Sequence, residues 1–181
     1  MVRNVPYFSY PLNVTSLTPT SYIVLGLIHQ AGEATPYALK QMAAATIGNF
    51  FSIPHSQLYA EPDRLADAGY LRVRREEGGR RRKHYTLTAR GGKALATWLE
   101  APTEEMYELR DPGLLKLAMG SDPKMLAEVQ LPAHEERLRH FQEIQRILEA
   151  SGASFEQRLV VESGIGHERE YVRFWKRVAG G

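Results

Sequence analysis

Residues 70–87 read Tyr70-Leu71-Arg72-Val73-Arg74-Arg75-Glu76-Glu77-Gly78-Gly79-Arg80-Arg81-Arg82-Lys83-His84-Tyr85-Thr86-Leu87. Alternation over Tyr70–Arg74 predicts a short strand, Gly78-Gly79 a tight turn, and His84–Leu87 a return strand, together a two-stranded hairpin. Arg72, Arg74, Arg75, Arg80, Arg81, Arg82 and Lys83 fall within twelve residues, opposed only by Glu76 and Glu77. That run suits a polyanion partner; a solvated basic loop is the other reading.

Three helices are predicted before the hairpin. Thr18-Pro19 opens the first with proline in its opening turn, and Tyr22, Ile23, Val24, Leu25, Leu27 and Ile28 make it apolar on nearly all sides, so it belongs in the centre of a core. Gly32 ends it. Thr35-Pro36 starts the second, with Tyr37, Leu39 and Met42 on one face, and Gly48-Asn49 turns the chain. The third runs from about Ser52-Ile53-Pro54 to Ala68 before Gly69, with Leu58, Leu65 and Ala68 on its apolar face; Pro62 should kink it after Tyr59. Beyond the hairpin, Thr88 caps a helix carrying Leu95, Trp98 and Leu99, and Pro102 closes the unit.

Helix, helix, helix, hairpin, helix is the order of a winged helix-turn-helix, and the densest basic cluster falls at the tip of its wing, where a phosphate backbone would be met. The expected fold is mainly α with a small β-hairpin. Its divisions are an N-terminal arm at 1–18, a winged helix-turn-helix at 19–101, and a C-terminal antiparallel helical dimerisation region at 102–181. In that last region Asp111-Pro112 and Asp122-Pro123 open helices, and Leu138, Phe141, Ile144, Ile147 and Leu148 form a stripe. Pro132 should kink or divide its helix. A final helix from about Ser154 to Val178 carries Leu159, Val160, Ile165, Tyr171, Val172, Phe174 and Trp175. Two long amphipathic helices need each other and a second subunit to bury their faces, which predicts a homodimer.

Bulk properties exclude several classes. The net charge of +2 divides into +5 over residues 1–100 and −3 over 101–181. No cysteine is present, which rules out disulfides, thiolate zinc sites and cysteine nucleophiles. No apolar run approaches the ~20 residues of a membrane span, and the first residues lack a signal-peptide pattern, so a cytoplasmic protein without membrane contact is expected. His134 and His140 are six apart, not the four of a metal-binding helix, and neither a phosphate loop nor a catalytic signature occurs. No enzyme, metal or cofactor is expected.

Residues 20–100 resemble the PadR family of bacterial transcription regulators. The resemblance rests on Tyr22–Ile28 followed by Tyr37-Ala38-Leu39, then Ser56-Gln57-Leu58-Tyr59 with Arg64–Leu71, then Gly79–Thr88 with Gly91 and Trp98-Leu99. It departs from the family pattern at Pro36, Pro62 and Arg81, where glycine, leucine and proline are usual. Residues 111–178 resemble, more weakly, the longer C-terminal helical region of one PadR subgroup.

A recognition helix reads bases from its first turns, which here offer His55, Ser56 and Gln57; Gln57 suits adenine. The resemblance implies that Tyr59 contacts the backbone of double-stranded operator DNA, half-buried core packing being the other reading, while His55 is equally readable as an exposed polar residue. Arg80, Arg81, Arg82, Lys83 and His84 are candidates for phosphate or minor-groove contacts, and Lys40 and Gln41 are weaker ones that could equally be solvated. Candidates for the dimer interface are Tyr22, Trp98, Leu138, Phe141, Ile144, Leu148, Tyr171 and Trp175. By resemblance Trp98, with Phe174, is also a candidate to border the cavity of a small aromatic or hydrophobic effector; core packing is the alternative for the aromatics. The function implied is a repressor binding a palindromic operator as a homodimer and released by that effector. The alternative is a winged-helix protein-interaction module.

Overall fold

The structure, a computed structural model, describes residues 16–77 and 81–180. In chain order the elements are α1 (Pro19–Ala31), β1 (Glu33–Ala34), α2 (Pro36–Thr46), α3 (His55–Asp67), β2 (Leu71–Arg75), β3 (Lys83–Leu87), α4 (Ala89–Glu100), α5 (Pro112–Ala118), α6 (Pro123–Ser151) and α7 (Phe155–Gly180). The chain divides into two compact units between Glu104 and Glu105. Of the 1–18 arm, residues 1–15 lie outside the described residues.

Unit 1 is built round α1. Val24, Leu25 and Ile28 are fully buried against Leu39, Leu58, Leu65, Tyr85 and Leu95, and such burial stabilises by about 1.5–3 kcal/mol per large side chain. Thr18, Thr35 and Thr88 each sit in extended backbone and accept a hydrogen bond from an amide three residues on, as helix N-caps do. The first of these caps reaches further. Ser21 Oγ accepts from the Thr18 amide at 2.7 Å and from Arg64 at 2.9 Å, and donates to Glu61 at 2.6 Å. Although Ser21 is fully buried, its hydroxyl is therefore satisfied, and it ties the start of α1 to α3.

The sheet has three strands, in order β1-β3-β2, where the sequence predicts two. Glu33 and Ala34 pair antiparallel with Thr86 and Tyr85, so β3 is bonded on both sides. A two-residue strand has no periodicity to read. Gly32, at φ +74°, turns the chain out of α1 into it. At Pro62, where a kink is expected, α3 continues as one helix from His55 to Asp67. The amide that would bond to Leu58 is missing, but the ring is fully buried and contributes apolar surface to the core.

In unit 2, α6 and α7 form an antiparallel hairpin turned at Gly152, whose left-handed conformation (φ 68°, ψ 31°) suits glycine. Pro132 neither ends nor divides α6, which runs 29 residues. Two small cores hold the pair: Leu126, Ala127 and Trp175 at one end, and Phe141, Val161 and Ile165 at the other. A Cβ on Gly164 would lie 2.6 Å from the Phe141 ring, so this glycine admits the close approach of the helices. Among the described residues, no helix is long and apolar enough to cross a membrane.

Candidate nucleic-acid interface

Leu58, Pro62 and Leu65 form the buried stripe of α3, which turns His55, Ser56 and Tyr59 to solvent. Tyr59 stands outside the core cluster with 46% of its surface exposed. Pro54 occupies the N-cap position and provides no side-chain cap, which leaves the first-turn amides without that partner. Gln57 is exposed, but its Oε1 already accepts from the Thr20 hydroxyl at 3.0 Å. On α2, Gln41 Nε2 donates to the Tyr37 hydroxyl at 2.8 Å. Lys40, half-buried, lines a cleft of about 50 Å³ with Phe51, His55 and Leu58.

The basic run divides into two sets. Arg72, Arg75, Arg81 and Arg82 are exposed, and none forms a salt bridge among the described residues. Arg80 lies outside the described residues. Arg81 takes a positive φ of 47°, unusual for a side chain larger than asparagine. Lys83 and His84, by contrast, are held by acids. Lys83 Nζ donates to both oxygens of Asp63 on α3, at 2.7 and 2.6 Å, and the Tyr85 hydroxyl donates to Asp63 Oδ1 at 2.8 Å. The hydrogen bond from Lys83 holds the Asp63 carboxyl below its usual range, against a smaller opposing effect of desolvation. Burial, and then the Asp63 bond, push the Tyr85 phenol far above its ordinary value.

His84 bridges two carboxylates: Nδ1 lies 2.9 Å from Glu33 and Nε2 lies 2.8 Å from Glu76. The hydrogen bond to His84 also lowers the Glu76 carboxyl. Strand alternation explains the sorting: 83 and 85 face α3, and 84 faces the other way, toward β1. In the chain without DNA, Lys83 and His84, both candidates for phosphate contacts, thus already have acid partners. Arg74, also basic, is paired to Glu33 at 2.9 Å.

The remaining candidates lie in two places. Tyr22 and Trp98 stack in unit 1 with ring centroids 4.7 Å apart and planes within 7°, and Trp98 stays 45% exposed. In unit 2, Phe141 is buried between α6 and α7 and Trp175 is buried by α6, α7 and α5, so the single chain already covers both. Leu138, Ile144 and Leu148 are half-buried round Phe141, and Tyr171 and Phe174 pack on the Trp175 end. The indole Nε1 of Trp175 has no hydrogen-bond partner among the described residues.

Glu168, which sequence reading missed, is 2% exposed and accepts from Arg137 at 2.9 Å, with His134 Nδ1 2.6 Å away. His134 thus has a carboxylate partner that its local spacing does not announce. Burial, and then the Asp111 carboxylate, push the Tyr171 phenol up to about 12. No group of three or more His, Asp or Glu side chains among the described residues is arranged to hold a metal.

Helices α1–α3, the β2–β3 wing and an exposed face on α3 beside it define a winged helix-turn-helix. Residues 24–97 match the transcriptional regulator PadR-like family, and residues 109–180 match the virulence activator alpha C-term family. Over 171 residues the chain is 28% identical to the negative transcriptional regulator PadR of Bacillus subtilis (strain 168), covering 87% of this chain and 93% of that protein. It is similar to the crystal structure of Bacillus subtilis PadR in complex with operator DNA, with a TM-score of 0.79 and 27% identity over 95% of this chain and 99% of that one. The same relative in complex with p-coumaric acid gives a TM-score of 0.74 and 26% identity over 91% and 97%. Residues 24–97 thus resemble the PadR-like family of transcriptional regulators, and the chain is similar over nearly its whole length to a solved member of it.

Proposed function

We propose that the chain is a cytoplasmic repressor that binds a palindromic operator as a homodimer and is released by a small aromatic or hydrophobic effector. Its working divisions are an arm at 1–18, a DNA-binding domain at 19–101 and a dimerisation and effector region at 102–181. The first turns of α3 enter the major groove, where His55, Ser56 and Gln57 meet base edges and Tyr59 meets the backbone. Thr20 already orients the Gln57 amide, directing Nε2 away as the donor. Arg80, Arg81 and Arg82 neutralise phosphates from the wing, and Lys40 adds a backbone contact from α2. Tyr22, Trp98, Tyr171 and the Leu138–Ile144–Leu148 stripe remain for the second subunit. Trp98 in unit 1 and Phe174 in unit 2 are each an aromatic surface offered to an effector.

The observation that carries this reading is the exposed first half of α3 beside a wing whose outer arginines are without acid partners among the described residues. Similarity over nearly the whole chain to a relative crystallised on operator DNA supports it. In a dimer, paired recognition helices address half-sites roughly one helical turn, ~34–36 Å, or a multiple apart.

Fluorescence anisotropy on the duplex upstream of the protein's own gene, wild type beside Arg81→Ala/Arg82→Ala across a salt series, tests it. Tight binding that weakens with salt is expected, with a shallower slope in the variant. Absence of duplex binding at low salt overturns the reading in favour of a protein-interaction module. p-Coumaric acid, bound by the B. subtilis relative, is the first effector probe, and release of the operator is expected.

A further inference from the structure

We propose that Asp63 is a positioning residue for DNA recognition: by holding Lys83 and Tyr85 it fixes the root of the wing against α3 and removes Lys83 from the phosphate contacts. The inference rests on the proposed DNA-binding function and adds a device that sets how helix and wing are spaced.

Asp63 lies four residues after Tyr59, on the same face of α3, and its side chain is 48% exposed. A bare carboxylate there would face phosphates and repel them. Here it is neutralised by Lys83 Nζ at 2.7 and 2.6 Å. A surface ion pair alone would fix little, because both side chains are flexible and solvent screens the attraction. The third partner changes this. The Tyr85 ring is fully buried, so its hydroxyl is anchored by the core, and it donates to Asp63 Oδ1 at 2.8 Å. Lys83 and Tyr85 share one face of β3, and β3 is bonded to β1 on one side and β2 on the other. A side chain on the recognition helix is thereby joined to the strand least free to shift. Arg81 and Arg82 lie just beyond this junction and remain exposed.

Two readings of Lys83 predict different salt dependences. The slope of log affinity against log salt counts neutralised phosphates, at about 0.9 per contact on duplex DNA. If Lys83 leaves Asp63 for the DNA, Lys83→Gln lowers the slope as Arg82→Gln does. If Asp63 keeps it, Lys83→Gln leaves the slope at the wild-type value while Arg82→Gln lowers it by about 0.9. Asp63→Asn gives a second readout, in which sign decides. Losing a negative charge near DNA should tighten binding to every duplex if charge alone matters. With Asp63 as a strut, binding to random duplex tightens and binding to the operator weakens, so their ratio falls tenfold or more.

The experiment is anisotropy on the full-length protein, operator and random duplex side by side, for wild type, Lys83→Gln, Arg82→Gln and Asp63→Asn. An unchanged slope in Lys83→Gln together with a collapsed ratio in Asp63→Asn is expected. A slope in Lys83→Gln that drops like that of Arg82→Gln overturns the proposal, as does an Asp63→Asn variant that binds both duplexes more tightly with its ratio intact. Asparagine still accepts from Tyr85; should that variant fail to fold, the Lys83→Gln slope decides alone. If wild type binds no duplex, the DNA-binding reading fails and this inference falls with it. If duplex is bound but Arg82→Gln leaves the slope unchanged, the wing assignment is wrong and the strut is overturned with it.

Discussion

Gln57 meets its target partly committed. With Oε1 taking the Thr20 proton at 3.0 Å, the amide has one orientation in the absence of DNA, Nε2 outward. Thr20→Val keeps the shape and removes the donor, so the amide can turn over. The expected result is relaxed discrimination at a single base position, by up to about 1–3 kcal/mol, with random-duplex affinity unchanged. A series of single-base operator substitutions measures it.

Glu168 offers a test of buried charge. It is almost fully buried with Arg137 and His134 as its partners, and removing one partner from a buried pair costs about 3–5 kcal/mol, whereas replacing the group together with apolar side chains can be neutral. His134→Leu should therefore destabilise unit 2 more than the triple replacement Glu168→Leu/His134→Leu/Arg137→Leu, as read by urea melts. None of these acid partners was legible in the sequence. Asp63 and Lys83 are 20 residues apart, and His134 and Glu168 are 34 apart, with no spacing rule to link them. Local signals such as the three threonine caps were readable because cap and capped amide lie within one turn.

Elements meet where side chains permit. A Cβ on Gly91 would collide with the Tyr70 carbonyl oxygen, backbone that is itself held by the Thr88 amide and hydroxyl at 3.1 and 3.0 Å. Gly91→Ala should cost about 1–3 kcal/mol of unit 1 stability, because the obstacle cannot rotate away. Differential scanning calorimetry checks this.

In unit 2, Tyr171 links α7 to Asp111, the residue that caps α5 through the amides of Gly113 and Leu114. The folded state raises its phenol from about 10 to about 12, favouring the protonated form. Its contribution is therefore fully present below pH 10 and is lost as pH rises through about 12. Tyr171→Phe should flatten the alkaline stability profile over that window and leave the profile near neutrality unchanged.

Element order was legible from the sequence because prolines, glycines and periodicity mark ends and faces. Both α3 and α6 run on through their internal prolines, Pro62 and Pro132, since proline removes one hydrogen bond and a long or well-packed helix survives that loss. Strand β1 escaped because two residues carry no pattern, and pairing with Thr86 and Tyr85 is a tertiary event.

For the whole molecule, the charge divides as +5 over the first hundred residues against −3 beyond, a field that favours a polyanion at unit 1 over unit 2. Sedimentation should find a dimer, and introducing charge at an exposed apolar position such as Val129→Glu, 65% exposed in the single chain, should weaken it if that face of α6 is covered. The aromatics assigned from sequence to the dimer illustrate what periodicity leaves out. A stripe shows that a face is buried without saying by what, and Phe141 and Trp175 turned out to be buried by the chain's own helices.

The chain has two tryptophans, and the fold deals one to each unit: Trp98, nearly half exposed and stacked on Tyr22, and Trp175, sealed from solvent. They amount to built-in fluorophores of different colour. Trp175 should emit to the blue and resist acrylamide, while Trp98 should emit to the red and be quenched. A Trp98→Phe variant then reports the unfolding of the helical hairpin alone, and a Trp175→Phe variant that of the winged unit. Whether the two halves melt together or in turn can thus be watched without a label.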